Sequence, residues 1–389
     1  MDGEKVTKCI IIMGDAPPHI PEPWSGSYSL DDVVYWSKHV DPVAVYSISI
    51  GSDDSTYDEF SEISTSTGGK VYTADGADDL VDTILKVIED IEPESSYAYI
   101  TNSGDSTVSV IDTATNTVTS TVSVGLGSYG VGVNPDGTKV YVANSGSGTV
   151  SVIDMATNKV IATLKVKIGV NGVAVTPDET KVYVTNSASN DVSVIDTATN
   201  KVTGTFKVGK GASGVAVTPD GKKVYVVNSQ SYSVSVIDTA TNKVTATLKV
   251  GNGASGVAVT PDGAKVYVTN SGFNSVSVID TTTNKVTATL KVGNNPAGVA
   301  VNPAGTKVYV ANRGGGTVSV IDAATNKVTA TVNVGSYPLG VSVTSDGTKV
   351  YVANSGSNSV SVIDTATNKV TATVPVGSKP IAFGKFICL

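Results

Sequence analysis

From Ser95 onward the chain is a succession of short apolar runs, four to seven residues long, each bounded by Gly, Pro, Asn or Asp. Val, Ile and Tyr recur at every second position within most runs, the period of a strand with one face buried. No window carries the 3.6-residue apolar period of an amphipathic helix. Around Tyr267 four runs follow one another, GVAVTPDG, KVYVTNS, SVSVIDTTTN and KVTATLKVG. They read as four strands joined by tight turns.

The same unit returns every 42 residues. Tyr99, Tyr141, Tyr183, Tyr225, Tyr267, Tyr309 and Tyr351 keep that interval, as do the Asn series from Asn102 to Asn354 and the Asp series from Asp112 to Asp364. Four strands per 42 residues is the length of a propeller blade. Radial closure removes the long exposed edges that so many Val-rich strands would otherwise leave. The predicted fold is therefore mainly β, a seven-bladed β-propeller of four-stranded antiparallel blades, behind a small N-terminal α/β segment. The boundary is expected near Glu92-Pro93-Glu94, giving an N-terminal segment 1–93 and a propeller 94–389.

The first unit starts at Tyr97, on its second strand, and lacks a GVAV-type run. The stretch Lys379–Phe386 has the phase of that missing strand, so residues 380–387 are expected to complete the first blade.

Residues 1–93 alternate strand and helix patterns. Cys9–Met13, Ala44–Ile50 and Lys70–Thr73 are apolar runs of the buried parallel-strand type. Leu30–His39, Tyr57–Thr67 and Ala77–Ile91 are helix candidates. In the last, Leu80, Ile84, Val87, Ile88 and Ile91 form one stripe.

Composition agrees with a folded chain of two parts. Of 389 residues 40% are hydrophobic and 16% charged, a globular balance. Residues 1–94 carry a net charge of −15 and the remainder +7, giving the overall −8. Both His and both Trp precede residue 95. Cys9 and Cys388 stand at opposite ends and make no disulfide framework. No apolar run is long enough to span a membrane, and the N-terminus lacks the pattern of a signal peptide.

The tetrapeptides YVTN at Tyr183–Asn186 and Tyr267–Asn270, with YVAN, YVVN and YITN elsewhere, resemble the YVTN-family propeller repeats. That resemblance implies an archaeal surface-layer-associated or bacterial secreted setting. Gly14-Asp15-Ala16-Pro17-Pro18-His19 after a strand, followed by VAVYSISIG and GGKVYTADGADDL, resembles the second half of a von Willebrand factor A-type domain. By that resemblance Asp15 would be one element of a metal-ion-dependent adhesion site whose other elements fall upstream of Met1. One carboxylate does not hold Mg²⁺ tightly. In the full fold the strand Cys9–Met13 pairs with a strand missing here. Its bare edge would suit pairing with another chain, so protein partners or self-assembly are expected there.

The seven copies disagree mainly in two loops, one between the second and third strands and one between blades. Function on a rigid scaffold concentrates in such loops. The candidate ligand face carries Tyr129, Asn171, Lys210, Tyr232, Phe273, Asn295, Arg313, Tyr337 and Lys379, with a glycan among the ligands considered. The Asp and Asn of the repeated turns read instead as side chains bonded to their own turn backbone.

Three segments fit GxGxxG, beginning at Gly125, Gly209 and Gly251. A dinucleotide fingerprint needs a helix after the glycines, and a strand pattern follows each. The propeller has no His and only one Glu, Glu179, so histidine bases, imidazole-bound metals and His-ligated haem have no residues there. The remaining Asp are mostly repeated turn residues, which leaves few candidates for paired carboxylates. Lys residues fall evenly at Asn-Lys and Thr-Lys steps and read as solvated strand entrances, which disfavours nucleic acid as a partner. No cofactor is expected. The sequence thus points to a non-enzymatic cell-surface or extracellular structural or adhesion protein. A soluble binder of a glycan or peptide is the alternative, and a lyase- or lactonase-like enzyme comes third.

Overall fold

A computed structural model describes residues 8–13, 45–50, 71–74 and 96–388. Two compact units divide the chain, Met1–Glu94 and Ser95–Leu389. In the first, strands Lys8–Met13, Val45–Ile50 and Val71–Ala74 form one sheet in that order. The first pair is antiparallel, with Lys8 opposite Ile50, and only the second pair is parallel. The expected parallel pairing of Cys9–Met13 is therefore corrected. A continuous apolar run reports which faces are covered; it carries no information on strand direction. The three helix candidates, Asp15, His19 and His39 lie outside the described residues.

The second unit is a seven-bladed propeller. Six blades are four-stranded meanders with strands in chain order. The fourth, for example, runs Ala212–Val217, Lys223–Asn228, Ser233–Asp238 and Lys243–Lys249, from the axis outward. Every neighbouring pair within it is antiparallel.

The core lies between blades. Tyr141, Val150 and Val152 of one blade meet Val173, Val182, Val184 and Ile195 of the next. All seven repeat tyrosines are fully buried there. The outermost strands expose alternate Thr and Lys residues instead, as in Lys243–Lys249. Charged ends and exposed threonines discourage edge-to-edge pairing of those strands.

The turn before each outer strand is built by its own side chains. Asp238 Oδ1 accepts the backbone N–H of Thr241 at 2.8 Å and its hydroxyl at 2.7 Å. Asn242 closes the turn at φ 53°, a left-handed conformation that Asn tolerates at low cost.

The first blade has three strands of its own, Tyr97–Asn102, Thr107–Asp112 and Thr117–Ser123. The C-terminal segment lies antiparallel beside the first of these, with Pro380 opposite Asn102 and Ile387 opposite Ala98. Ile381 N–H donates to Thr101 O at 2.9 Å, Tyr99 N–H to Phe386 O at 2.8 Å and Cys388 N–H to Tyr97 O at 3.1 Å. The segment is no regular strand, because Ala382 and Gly384 adopt positive φ, 48° and 116°. Its kink lets it reach the second blade as well: Val131 N–H donates to Phe383 O at 2.8 Å and Val133 N–H to Lys385 O at 3.1 Å. One short segment thus ties three chain regions together.

Candidate functional site

The innermost strands crowd the axis so closely that their third residue must be Gly. A Cβ on Gly214 would stand 2.4 Å from Ser255 O, and one on Gly256 the same distance from Ala297 O. From these glycines to the turns that follow, the inner strands line an axial cavity of about 610 Å³. Its wall is mostly apolar, with Val175, Val217, Val259 and Val301 among the lining residues, and Lys385 also lines it. The mouth is ringed by the residues that open the Pro-Asp-Gly turns, including Pro135, Pro177 and Pro219.

With Ala304 the exception, five of the six equivalent turns carry an exposed Asp. Its Oδ1 is held by the turn: Asp220 accepts from Thr218 Oγ1 at 2.6 Å and from Lys222 N–H at 3.0 Å. Asp136 is likewise held by Thr138, through N–H at 2.9 Å and Oγ1 at 2.8 Å. Five equivalent turn positions are glycines, Gly137, Gly221, Gly263, Gly305 and Gly347, all with φ near 70°. The sixth is Glu179, held at φ 58°. A left-handed conformation costs a side-chain-bearing residue about 1 kcal/mol or more, and such residues cluster at functional sites.

Glu179 reaches across to the preceding blade. Its carboxylate accepts the backbone N–H of Asp136, and its other oxygen lies 3.5 Å from Asn134 Nδ2. Partial burial and then the neighbouring Asp136 push the Glu179 carboxyl above the usual range. Asp136 is desolvated too, but the hydrogen bonds from Thr138 outweigh this and hold it below its ordinary value. Few candidates for paired carboxylates are visible in the sequence. This pair is hidden there because the two residues stand 43 positions apart on adjacent blades; its one signal is a Glu where the other copies have Gly.

The variable loops meet on the opposite face, where the inter-blade loop hydrogen-bonds to the loop between second and third strands. Ser145 N–H to Gly127 O, at 2.9 Å, is one such contact. Of the nine candidates on this face, four converge. Arg313 N–H donates to Asn295 O at 3.0 Å, and the Arg313 guanidinium sits 5.8 Å from the centre of the Tyr337 ring. Tyr129 stacks on Phe383 with centroids 5.7 Å apart. Burial raises the Tyr129 hydroxyl pKa, and the charge of Arg313 partly offsets this.

The other five are spread around the ring. Asn171 is partly buried, its carbonyl filling the space a Cβ on Gly130 would need. Lys210 and Lys379 are exposed, and Lys379 N–H donates to Asn358 Oδ1 at 2.9 Å. Tyr232 and Phe273 are 47% and 65% exposed on separate loops. None of Tyr129, Tyr232, Phe273 and Tyr337 lines the axial cavity. Two exposed apolar residues of this face, Leu126 and Ile168, were missed because neither is aromatic or charged.

One expectation about charge is half corrected. Lys159, Lys201 and Lys243, at the entrances of outer strands, are exposed. The lysines that open second strands are not simply solvated. Lys223 Nζ donates to Thr281 O at 2.7 Å and Lys265 Nζ to Ala323 O at 2.6 Å, each bridging to the next blade. These ammoniums join neighbouring blades.

Among the described residues no group of three or more His, Cys, Asp or Glu is placed to hold a metal ion, and no helix is long and apolar enough to cross a membrane. Residues 90–333 and 279–382 match the family model described as "Lactonase, 7-bladed beta-propeller". No curated protein matches the chain. Among solved structures it is similar to a Kuenenia stuttgartiensis hydrazine synthase, at 27% identity and TM-score 0.65, over 69% of this chain and 92% of that one. A functionally unknown protein from Desulfotomaculum acetoxidans shares the fold at 17% identity and TM-score 0.66, over 74% of this chain and 99% of that one. So does dihydro-heme d1 dehydrogenase NirN in complex with DHE, at 17% identity and TM-score 0.55, over 71% of this chain and 62% of that one. The expectation of a non-enzymatic surface or adhesion protein is overturned by the family match, which places the propeller among enzyme-type relatives. The propeller's lack of His and the repeated-turn character of most of its Asp had pointed away from an enzyme, but a family's activity is not legible from the absence of one catalytic residue type. The chain belongs to the lactonase family of seven-bladed β-propellers.

Proposed function

We propose that the propeller hydrolyses a small cyclic ester at the turn-face mouth of its axial channel. The observation that carries this reading is the Glu179–Asp136 pair, two carboxyl groups whose pKa values are pushed in opposite directions beside that mouth. Groups driven apart in this way divide the acid and base roles at neutral pH. Asp136, ionised and with Oδ1 committed to Thr138, has Oδ2 left to accept a proton from an attacking water. Glu179, kept more protonated, donates to the leaving oxygen. Water adds to the ester carbonyl, the acyl–oxygen bond breaks, the ring opens, and the product carries a new carboxylate and a hydroxyl. The apolar wall accommodates the ring of the substrate, and Lys385 stands in the same cavity to hold the carboxylate as it forms. The family match and the 27% identical hydrazine synthase support a propeller used in catalysis.

The test is acid release from a panel of five- and six-membered lactones, followed by pH-stat, with the full chain and its Glu179→Gln, Glu179→Gly and Asp136→Asn variants. General acid–base groups contribute about 10²–10⁴-fold, so each variant should lose at least about a hundredfold in kcat. Full activity in Glu179→Gln, or no turnover of any lactone by the parent chain, overturns the reading.

A further inference from the structure

At the other end of the inner strands the repeats are broken in a way that hydrolysis at the turn face does not use. Arg313 is the only arginine in the 389-residue chain. The six equivalent positions are serines, Ser103, Ser145, Ser187, Ser229, Ser271 and Ser355, and Ser229 and Ser271, for example, spend their hydroxyls on the inter-blade loop. The arginine side chain is instead exposed, and no side-chain hydrogen bond or ion pair engages its guanidinium among the described residues.

Its partner breaks the repeat too. Tyr337 stands where four copies have Gly, at Gly127, Gly169, Gly211 and Gly253, and is held at φ 51°. That conformation is strained for a bulky residue. The ring is wedged against Gly356, where a Cβ would lie 2.6 Å from Tyr337 Cδ2. The guanidinium at 5.8 Å from its centroid is within cation–π range. A guanidinium oriented on an aromatic face keeps its N–H edge free, and that edge matches a carboxylate or phosphate in two parallel hydrogen bonds. Beside it, Tyr129 and Phe383 stack over the axial end, packed with Leu339, Ala297 and Ile381. A fixed cation, a free fork of donors and aromatic faces thus meet at one place, all at positions where this blade region departs from the others.

We infer that the loop face binds a small ligand joining an oxyanion, carboxylate or phosphate, to a flat ring, with Arg313 holding the anion and Tyr337 and Tyr129 covering the ring. The site stands independently of the hydrolytic reading, because a six-residue strand of about 20 Å separates it from the turn face. It also explains why the convergence is asymmetric: one ligand needs one arginine, and seven-fold repetition would supply seven.

Isothermal titration of the full chain with phenyl phosphate, benzoate, inorganic phosphate and benzyl alcohol tests this. Phenyl phosphate and benzoate should bind, and more tightly than either inorganic phosphate or benzyl alcohol. Arg313→Ser restores the residue of the other blades and so keeps the fold; it should weaken phenyl phosphate at least about tenfold, or ~1.4 kcal/mol. Tyr337→Gly should reduce phenyl phosphate to the affinity of inorganic phosphate. Glu179→Gly should change none of these values. Unaltered binding in Arg313→Ser, equal affinity for phenyl and inorganic phosphate, loss of binding in Glu179→Gly, or no binding of any probe would each overturn the inference.

Discussion

Lys349 Nζ lies 2.6 Å from the carbonyl oxygen of Thr113, a bond between the last blade and the first across 236 residues of chain. Tyr351 lies beside it, its hydroxyl donating to the same carbonyl at 3.2 Å and to Asn116 Oδ1 at 2.5 Å. The same lysine-to-carbonyl bond recurs between successive blades at a spacing of 58 residues, as from Lys307 to Thr365. The seam of the ring is therefore closed by the chemistry that joins the second through seventh blades to one another; only between the first and second blades is the lysine replaced, by Tyr97. A hydrogen bond from a charged donor contributes about 1.5–3 kcal/mol. Lys349→Met should destabilise the propeller by that order in urea, and Lys307→Met comparably. An unchanged midpoint in both would show that these bonds contribute nothing net.

The C-terminal segment is the second part of the seam. Phe386 is fully buried, packed with Tyr99, Val108, Val110 and Tyr351. Phe386→Ala should cost about 3–5 kcal/mol, the usual range for deleting a buried aromatic. Removing residues 380–389 should cost more, because it also strips Thr101, Tyr99 and Val131 of backbone partners. Calorimetry on the two variants settles the order; a truncated chain as stable as Phe386→Ala would contradict it.

Alkaline pH should unfold the propeller steeply. Burial pushes the hydroxyls of Tyr141, Tyr183, Tyr225, Tyr267 and Tyr309 up to about 12, and those of Tyr99 and Tyr351 further in the same direction. Unfolded tyrosines ionise near ~10. Above that pH the unfolded chain binds fewer protons than the folded one, so stability falls as pH rises. It is complete below ~10 and drains away between there and about 12. Melting temperatures at pH 8 to 11.5 should be flat first and then drop; a steady rise would be incompatible with buried neutral phenols.

Glu179→Gly should stabilise the fold. The position has φ 58° where five copies use Gly, and relief of that strain is worth on the order of 1 kcal/mol. Gain of stability with loss of hydrolysis would mark Glu179 as retained for chemistry. A loss of stability would mean its contacts with Asp136 and Asn134 serve the fold.

Gly256 should tolerate no side chain. Its Cβ would meet backbone, Ala297 O at 2.4 Å, which cannot swing aside as a side chain could, so Gly256→Ala should cost about 1–3 kcal/mol or more. Gly204, which faces nothing within 4 Å, is the control. Replacing it by the Ala found at Ala246 and Ala288 should raise stability slightly.

The sequence by itself determined the blade. Its 42-residue period, the two-residue alternation within strands such as Lys265–Asn270, and the Asp and Asn of each turn specify local geometry, because strand and turn preferences act over a few residues. It also marked Tyr129, Asn295, Arg313 and Tyr337 as departures from the repeat. Which departures become neighbours was decided only by the tertiary structure. Closing the ring sets Arg313 over Tyr337 and Tyr129 over Phe383, 24 and 254 residues apart, while leaving Tyr232 and Phe273 isolated. It also turns Glu179 toward Asp136 of the preceding blade and the second-strand lysines toward carbonyls of the next. In a repeat, sequence distance modulo the period gives the place within a blade, and the number of periods gives the place around the axis. Contacts across blades, where burial and charge act together, are fixed by the angle and spacing at which the sheets pack.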